Sequence, residues 1–280
     1  MQFQPFTTAP SAFGIGLKPL TPGHALHQDG EAERYRAEKI ALYRSIPNEV
    51  VRAQDDTLEA QQEIKELVAA LTSPYANQET LEAEFSALGP MAVAALGIQD
   101  DLILMRRSDD GWRLAAASLC FPSSWNLSEK FGHPLEVIHQ PVPHMAGKTG
   151  ERIRRIFDML RPEQPLWREN WAIEGDDELR HERKLNQRGA AYKADKLAGT
   201  VHIRCEYQTL HKLPLSDDVL FTVKILVRSV SQLAATPNGR AYLQHLVRNV
   251  DELSEEGLAY KGLAGNRERL KTVLAEAIGA

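Results

Sequence analysis

The sequence predicts an α+β protein: helices first, then a mostly antiparallel sheet with helical inserts, then helices again. Three observations predict it. Apolar residues recur at helical spacing within 31–88 and again within 239–278. Asp109-Asp110-Gly111 lies between two apolar runs, which is a hairpin signature. Two runs rich in Val, Ile, Thr and Phe, 200–210 and 219–230, follow within the middle third. The connections are short and local, so the elements read as one domain over 1–280, with the sheet core at about 95–230.

Taken in order, residues 1–27 are rich in Pro, Gly and Thr and read as an irregular lead-in. A helix over 31–46 carries Tyr35, Ile40 and Tyr43 near one side, and Pro47 ends it. A second helix, 58–71, places Ile64, Leu67, Val68 and Leu71 together. A shorter one, 79–88, stops at Gly89-Pro90. Strands are predicted over 101–107 and 112–121. Short helical turns follow at 127–131 and 135–139, around Gly132 and Pro134. The helix over 150–160 has an apolar stripe of Ile153, Ile156, Phe157 and Leu160. Residues 167–173 read as a strand, and 175–198 as a charged loop with some helix. The chain closes with helices over 239–250 and 267–278.

Composition excludes several classes. Hydrophobic residues make up 43% and charged residues 25%, enough apolar material for a sizeable core. The net charge is −5 with no basic run, so nothing marks a nucleic-acid footprint. The two cysteines, Cys120 and Cys205, are too few for an iron–sulfur cluster and wrongly spaced for a zinc ribbon or a redox CxxC. A bond between them stays open. No apolar run approaches the roughly 20 residues of a membrane helix, and MQFQPFTTAP lacks a signal-peptide pattern. The expected setting is the cytoplasm.

Two constellations carry the chemistry. The strand at 200–213 alternates, so His202, Arg204, Glu206 and Gln208 share one face, opposite Val201, Ile203, Cys205 and Tyr207. A wet face is common in antiparallel sheets. The neighbouring strand tips the balance towards a pocket, because its face of Leu220, Thr222, Lys224, Leu226 and Arg228 mixes apolar walls with polar groups. A hairpin between the two strands would bring Lys224 near Glu206. The second constellation is 125–143, where His139 ends a short helix between Val137-Ile138 and Pro141-Val-Pro143. A neutral imidazole so held is a candidate haem-iron ligand, and a lone His is more often structural. His133 and His144 compete for the role. His181 and His211 read as solvated loop residues. No nucleophile elbow, phosphate loop, flavin motif or nicotinamide motif is present. A redox enzyme built on this chain would draw its electrons from elsewhere.

Several stretches resemble one family in order and spacing. They are Phe13-Gly-Ile-Gly-Leu-Lys-Pro-Leu20, Cys120-Phe-Pro-Ser-Ser-Trp125, Glu129-Lys-Phe-Gly132 and Ile138-His-Gln-Pro-Val-Pro143. Arg168-Glu-Asn-Trp171, Arg204-Cys-Glu-Tyr-Gln-Thr-Leu210 with Leu213-Pro214, and Leu220-Phe-Thr-Val-Lys224 continue the series. Together, from about 13 to about 250, they resemble the α-subunit-like family of haem-dependent oxidative N-demethylases. The resemblance implies a PAS-like antiparallel sheet holding haem b. It implies oxidation of a small secondary amine, dimethylamine in the characterised branch, by O2. Electrons would come from NADPH through reductase or ferredoxin-type partner subunits bearing FMN and a 2Fe–2S cluster. His139 would be the proximal ligand. Arg204, Gln208 and Thr209 would contact the cofactor, with Arg204 suited to clamp a propionate. Glu206, with Arg204 and Lys224, would serve catalysis, the carboxylate holding a protonated amine and passing a proton. Tyr207 and Lys224 stand where the family pattern has Arg. The alternatives are a haem-binding PAS-like sensor or carrier without turnover, and a scaffold that keeps the fold only.

Overall fold

The computed structural model describes residues 5–21, 24–140, 142–143, 147–182 and 201–279. Among the described residues, seven strands form one antiparallel sheet, flanked by helices. The strands are β1 (Lys18–Pro19), β2 (Val51–Ala53), β3 (Asp101–Ser108), β4 (Gly111–Ser118), β5 (Leu166–Glu174), β6 (His202–Lys212) and β7 (Val219–Ser229). Their order across the sheet is β1-β5-β6-β7-β3-β4-β2. Among the described residues no helix is long and apolar enough to cross a membrane.

Turn chemistry sets the sheet. The β3–β4 hairpin closes on Gly111, whose φ of +111° disfavours a side chain. The Ser108 hydroxyl donates to the Asp110 carboxylate and the Gly111 carbonyl across the turn. β6 and β7 pair over their whole length, with Tyr207 opposite Lys224 and Glu206 opposite Ile225. Ser229 ends β7 and caps the next helix. Its Oγ accepts from the Gln232 amide, and the Gln232 side chain accepts from the Ser229 amide.

Five helices precede the sheet core: α1 (Ala32–Ser45), α2 (Pro47–Val50), α3 (Leu58–Leu71), α4 (Gln78–Phe85) and α5 (Pro90–Leu96). The α5 sequence, PMAVAAL, is nearly all buried and so lacks the amphipathic period that marked its neighbours. Gly89-Pro90, read as a stop, starts it, because Pro at the first helical position gives up no needed N–H. Between β4 and β5 come α6 (Leu127–Lys130), α7 (Leu135–Ile138) and α8 (Lys148–Met159). After β7 come α9 (Val230–Ala234), α10 (Gly239–Glu252), α11 (Glu255–Tyr260) and α12 (Arg267–Gly279).

The two faces of the sheet bury different things. On one, Ile203, Cys205 and Tyr207 of β6 pack against Tyr242, Leu243 and Leu246 of α10 and Leu274 of α12. Each fully buried leucine there contributes roughly 1.5–3 kcal/mol. The same face of β3 meets α3 and α5 through Leu102, Leu104, Ile64 and Met91. The other face lies under the 119–160 segment, through Ile103, Met105, Leu114, Leu135 and Phe157. Cys120 and Cys205 are buried and unbonded. The 183–198 part of the segment read as a charged loop lies outside the described residues.

Candidate functional site

The second face encloses a cavity of about 540 Å3. Its floor is the sheet: Arg168 and Asn170 of β5, Glu206, Gln208 and Leu210 of β6, Phe221 and Val223 of β7, and Ile103 and Met105 of β3. Register explains the set, since Arg168 faces Gln208, Asn170 faces Glu206, and Gln208 faces Val223. The roof is Trp125, Lys130, Leu135, Ile138 and His139, with Ile153 and Phe157 of α8. The lead-in closes one side through Phe13 to Leu17, and Tyr260 with Lys261 closes another.

His139 caps the C-terminus of α7 and is half-buried. Its Nδ1 lies 3.0 Å from the Leu135 carbonyl. A carbonyl only accepts, so Nδ1 carries the hydrogen and Nε2 keeps its lone pair. Burial and the nearby Lys130 charge push the imidazole down to about 4, so the ring is neutral at ordinary pH. A neutral ring, oriented by a backbone carbonyl, with its other nitrogen free, is what a metal ligand requires. His133 is exposed and does not line the cavity. His144 lies outside the described residues.

Glu206 is the cavity's organised carboxylate. Gln208 Nε2 and Asn170 Nδ2 donate to its Oε2 at 2.9 and 3.2 Å. Burial raises its pKa, but the Ser123 and Asn170 hydrogen bonds and the Arg204 and Lys261 charges outweigh burial and hold it below the ordinary value. Glu206 is therefore an anion in a mostly apolar chamber.

Cations surround it. Lys261 is buried, donates to the Trp171 carbonyl at 2.6 Å and sits 4.0 Å over the Trp171 ring. Burial pulls it down to about 8, against the opposing pull of Glu206. Lys130, 4.2 Å over the Trp125 ring, is likewise lowered by burial to about 8. Arg168 presents a buried Nε with no hydrogen-bond partner among the described residues. An unpaired guanidinium N–H is costly to bury, so an anionic group brought into the cavity has a donor waiting. Apolar walls, one imidazole with an open nitrogen and cations among the lining fit a flat apolar macrocycle bearing carboxylates.

The remaining sequence-predicted residues fall elsewhere. Arg204 is fully buried but does not line the cavity. Its Nε donates to Ser123 Oγ at 2.8 Å and its Nη2 to the Phe121 carbonyl at 2.9 Å, so it clamps the 121–123 loop. Through Ser123 it reaches Glu206. Lys224 lies on the opposite face of the sheet, because β7 registers it against Tyr207. There it donates to the His27 carbonyl and Gln99 and pairs with Asp29 at 3.0 Å. The expected approach to Glu206 is therefore absent, and the mixed face of 219–230 is not the pocket face. Thr209 shares that opposite face and hydrogen-bonds with Thr222 and His211. His211 and His181, read as solvated, are both buried. Burial holds His211 down at about 4.

Sequence reasoning gave no role to Lys130, Arg168, Asn170 or Lys261. The first three lie inside family-like stretches, where motif membership was the available signal. Lys261 comes from a C-terminal loop with no local pattern.

Fold and site together define a protein with an internal, apolar, cofactor-sized chamber bearing a metal-competent histidine. The family description "Haem-dependent oxidative N-demethylase, alpha subunit-like" matches residues 16–271, and the chain belongs to that family. The match takes in Lys261 as well as His139 and Glu206.

Proposed function

We propose that this chain is the haem-dependent oxygenase subunit of a multi-subunit N-demethylase acting on a small amine. The observation that carries the reading is one chamber holding both a neutral imidazole with an open Nε2, His139, and an ionised carboxylate, Glu206. In this reading the sheet is PAS-like, the cofactor is haem b and His139 would hold its iron. Arg168 and Lys130 hold its carboxylates, supported by the unpaired Arg168 Nε. When bound, the haem would supply O2 activation, for a net reaction in which the N-methyl amine, O2, two electrons and two protons give the shortened amine, formaldehyde and water.

The chain's own residues do the rest. Glu206 pairs as an anion with the substrate ammonium, and its carboxylate accepts and passes on a proton. Gln208 and Asn170 fix the carboxylate's orientation. Arg204 acts at one remove, keeping Ser123 against Glu206. Apolar walls restrict water. The resemblance to the family implies NADPH, FMN and a 2Fe–2S cluster on reductase partners, and a chain without flavin, nicotinamide or iron–sulfur motifs suits that division of labour. The two buried, unbonded thiols suit the cytoplasm.

The test is turnover. Haem-loaded protein, a matched reductase, NADPH and O2 should release formaldehyde from a small secondary amine such as dimethylamine. A stable Soret band with no amine oxidation would favour a sensor or carrier instead.

A further inference from the structure

Helix α8 has two different sides. Ile153 and Phe157 face the cavity, and Phe157 packs on Trp112 at a centroid distance of 5.7 Å. The other side is basic. Arg152, Arg154, Arg155 and Arg161 are exposed, beside an exposed carboxylate, Glu151, and none of the four arginine side chains makes a hydrogen bond or ion pair with a described residue. Arg152, Arg155 and Arg161 line a shallow groove of about 350 Å3 together with Ile156, Met159 and Leu160. Met159 is 68% exposed.

Four unpaired arginines on one short segment are conspicuous in a chain of net charge −5. The other exposed arginines without an ion pair among the described residues, Arg52 on β2 and Arg240 and Arg248 on α10, are dispersed, and Arg44 and Arg113 are paired, with Glu84 and Asp110. An apolar groove lined in part by arginine has the composition of a protein-binding patch, since Met and Arg are enriched at interfaces. A positive patch on a negative molecule also creates a dipole that orients an incoming acidic partner.

We propose that the outer face of α8 is the docking site for an acidic one-electron carrier protein, whose carboxylates meet Arg152, Arg155 and Arg161 beside Met159. The proposal rests on the haem reading above. One helix, roughly 10–12 Å across with its side chains, separates this surface from the chamber. One electron leaves the reduced carrier and takes ferric iron to ferrous, and the oxidised carrier departs. Such encounters use small, charge-steered interfaces.

The experiment uses the full chain and an acidic plant-type 2Fe–2S ferredoxin as probe. Equilibrium binding is measured at low and at 0.3 M salt for wild type, Arg152→Glu/Arg155→Glu and Arg152→Lys/Arg155→Lys. Haem-loaded protein is then mixed with reduced ferredoxin, and the Soret shift gives the reduction rate. Wild type and the lysine variant should bind at low salt. The glutamate variant should lose at least about tenfold in both affinity and second-order rate. Dithionite should reduce all three equally. Binding or reduction that is absent in wild type, or unchanged by charge reversal, overturns the proposal. So does sedimentation with phosphatidylserine vesicles that charge reversal abolishes while ferredoxin reduction stays the same. Charge-dependent ferredoxin binding by a protein that takes up no haem overturns the haem reading, and with it the electron-entry role. A normal Soret band without charge-dependent binding overturns the docking site alone.

Discussion

Two buried charged clusters lie on opposite faces of the same strands, and they are built differently. On the α3–α5 side, Lys224 meets the His27 carbonyl, Gln99 and Asp29, while Thr222 meets Asp100 and Thr209. That network has almost closed on itself. One Asp100 oxygen lacks a partner, and burial raises that carboxyl. On the cavity side, Glu206 is surrounded by Lys261, Lys130 and Arg168 across open volume, and the Arg168 Nε has no partner among the described residues. Polar groups that satisfy one another fix a fold. Polar groups left facing a void await a ligand.

The comparison breaks or sharpens under substitution. The largest functional effect belongs to Glu206. Glu206→Gln should retain haem while amine turnover falls by about 10²-fold, as loss of a positioned proton-transfer group does. Formaldehyde release checks it, and intact turnover would make Glu206 structural. On the opposite face, Lys224→Met should cost about 2–4 kcal/mol in urea unfolding, because Asp29 and Gln99 lose a buried partner. Haem affinity in the folded variant should be unchanged. Arg168→Ala should leave stability nearly intact and weaken haem binding about tenfold, the loss of one charge-assisted hydrogen bond. Titration of apoprotein with haem measures this.

The smallest effect is a pH slope. Burial lowers His211 from its ordinary 6.5 to about 4, so between these values the unfolded chain binds the extra proton. Its contribution to stability is complete above about 6.5 and is lost as pH falls towards 4. His211→Gln should flatten the unfolding free energy in that window. An unchanged slope would mean that the imidazole is hydrated in the folded protein.

The strand at 200–213 was legible because its period of two separates the faces by sequence alone. The hairpin register was not. A one-residue shift exchanges every side chain between faces, and nothing local sets Tyr207 rather than Glu206 against Lys224. The mixed face of β7 looked like a pocket wall because a sealed polar network and a binding site use the same residue types. Contacts to His27, Asp29 and Gln99, far away in sequence, decide which it is. Lys261 was hidden for a similar reason, since its place over Trp171 depends on how α11 packs. Helix α5 escaped because complete burial erases the pattern that exposes a helix.

The central claim is that the cavity face, through His139, holds haem. Haem titrated into apoprotein and followed at the Soret band tests it most directly, with wild type, Lys224→Met and His139→Ala compared. One haem per chain should saturate the first two, and His139→Ala should show no ligated Soret band. A His139→Ala protein that takes up one haem with an unchanged spectrum would contradict it.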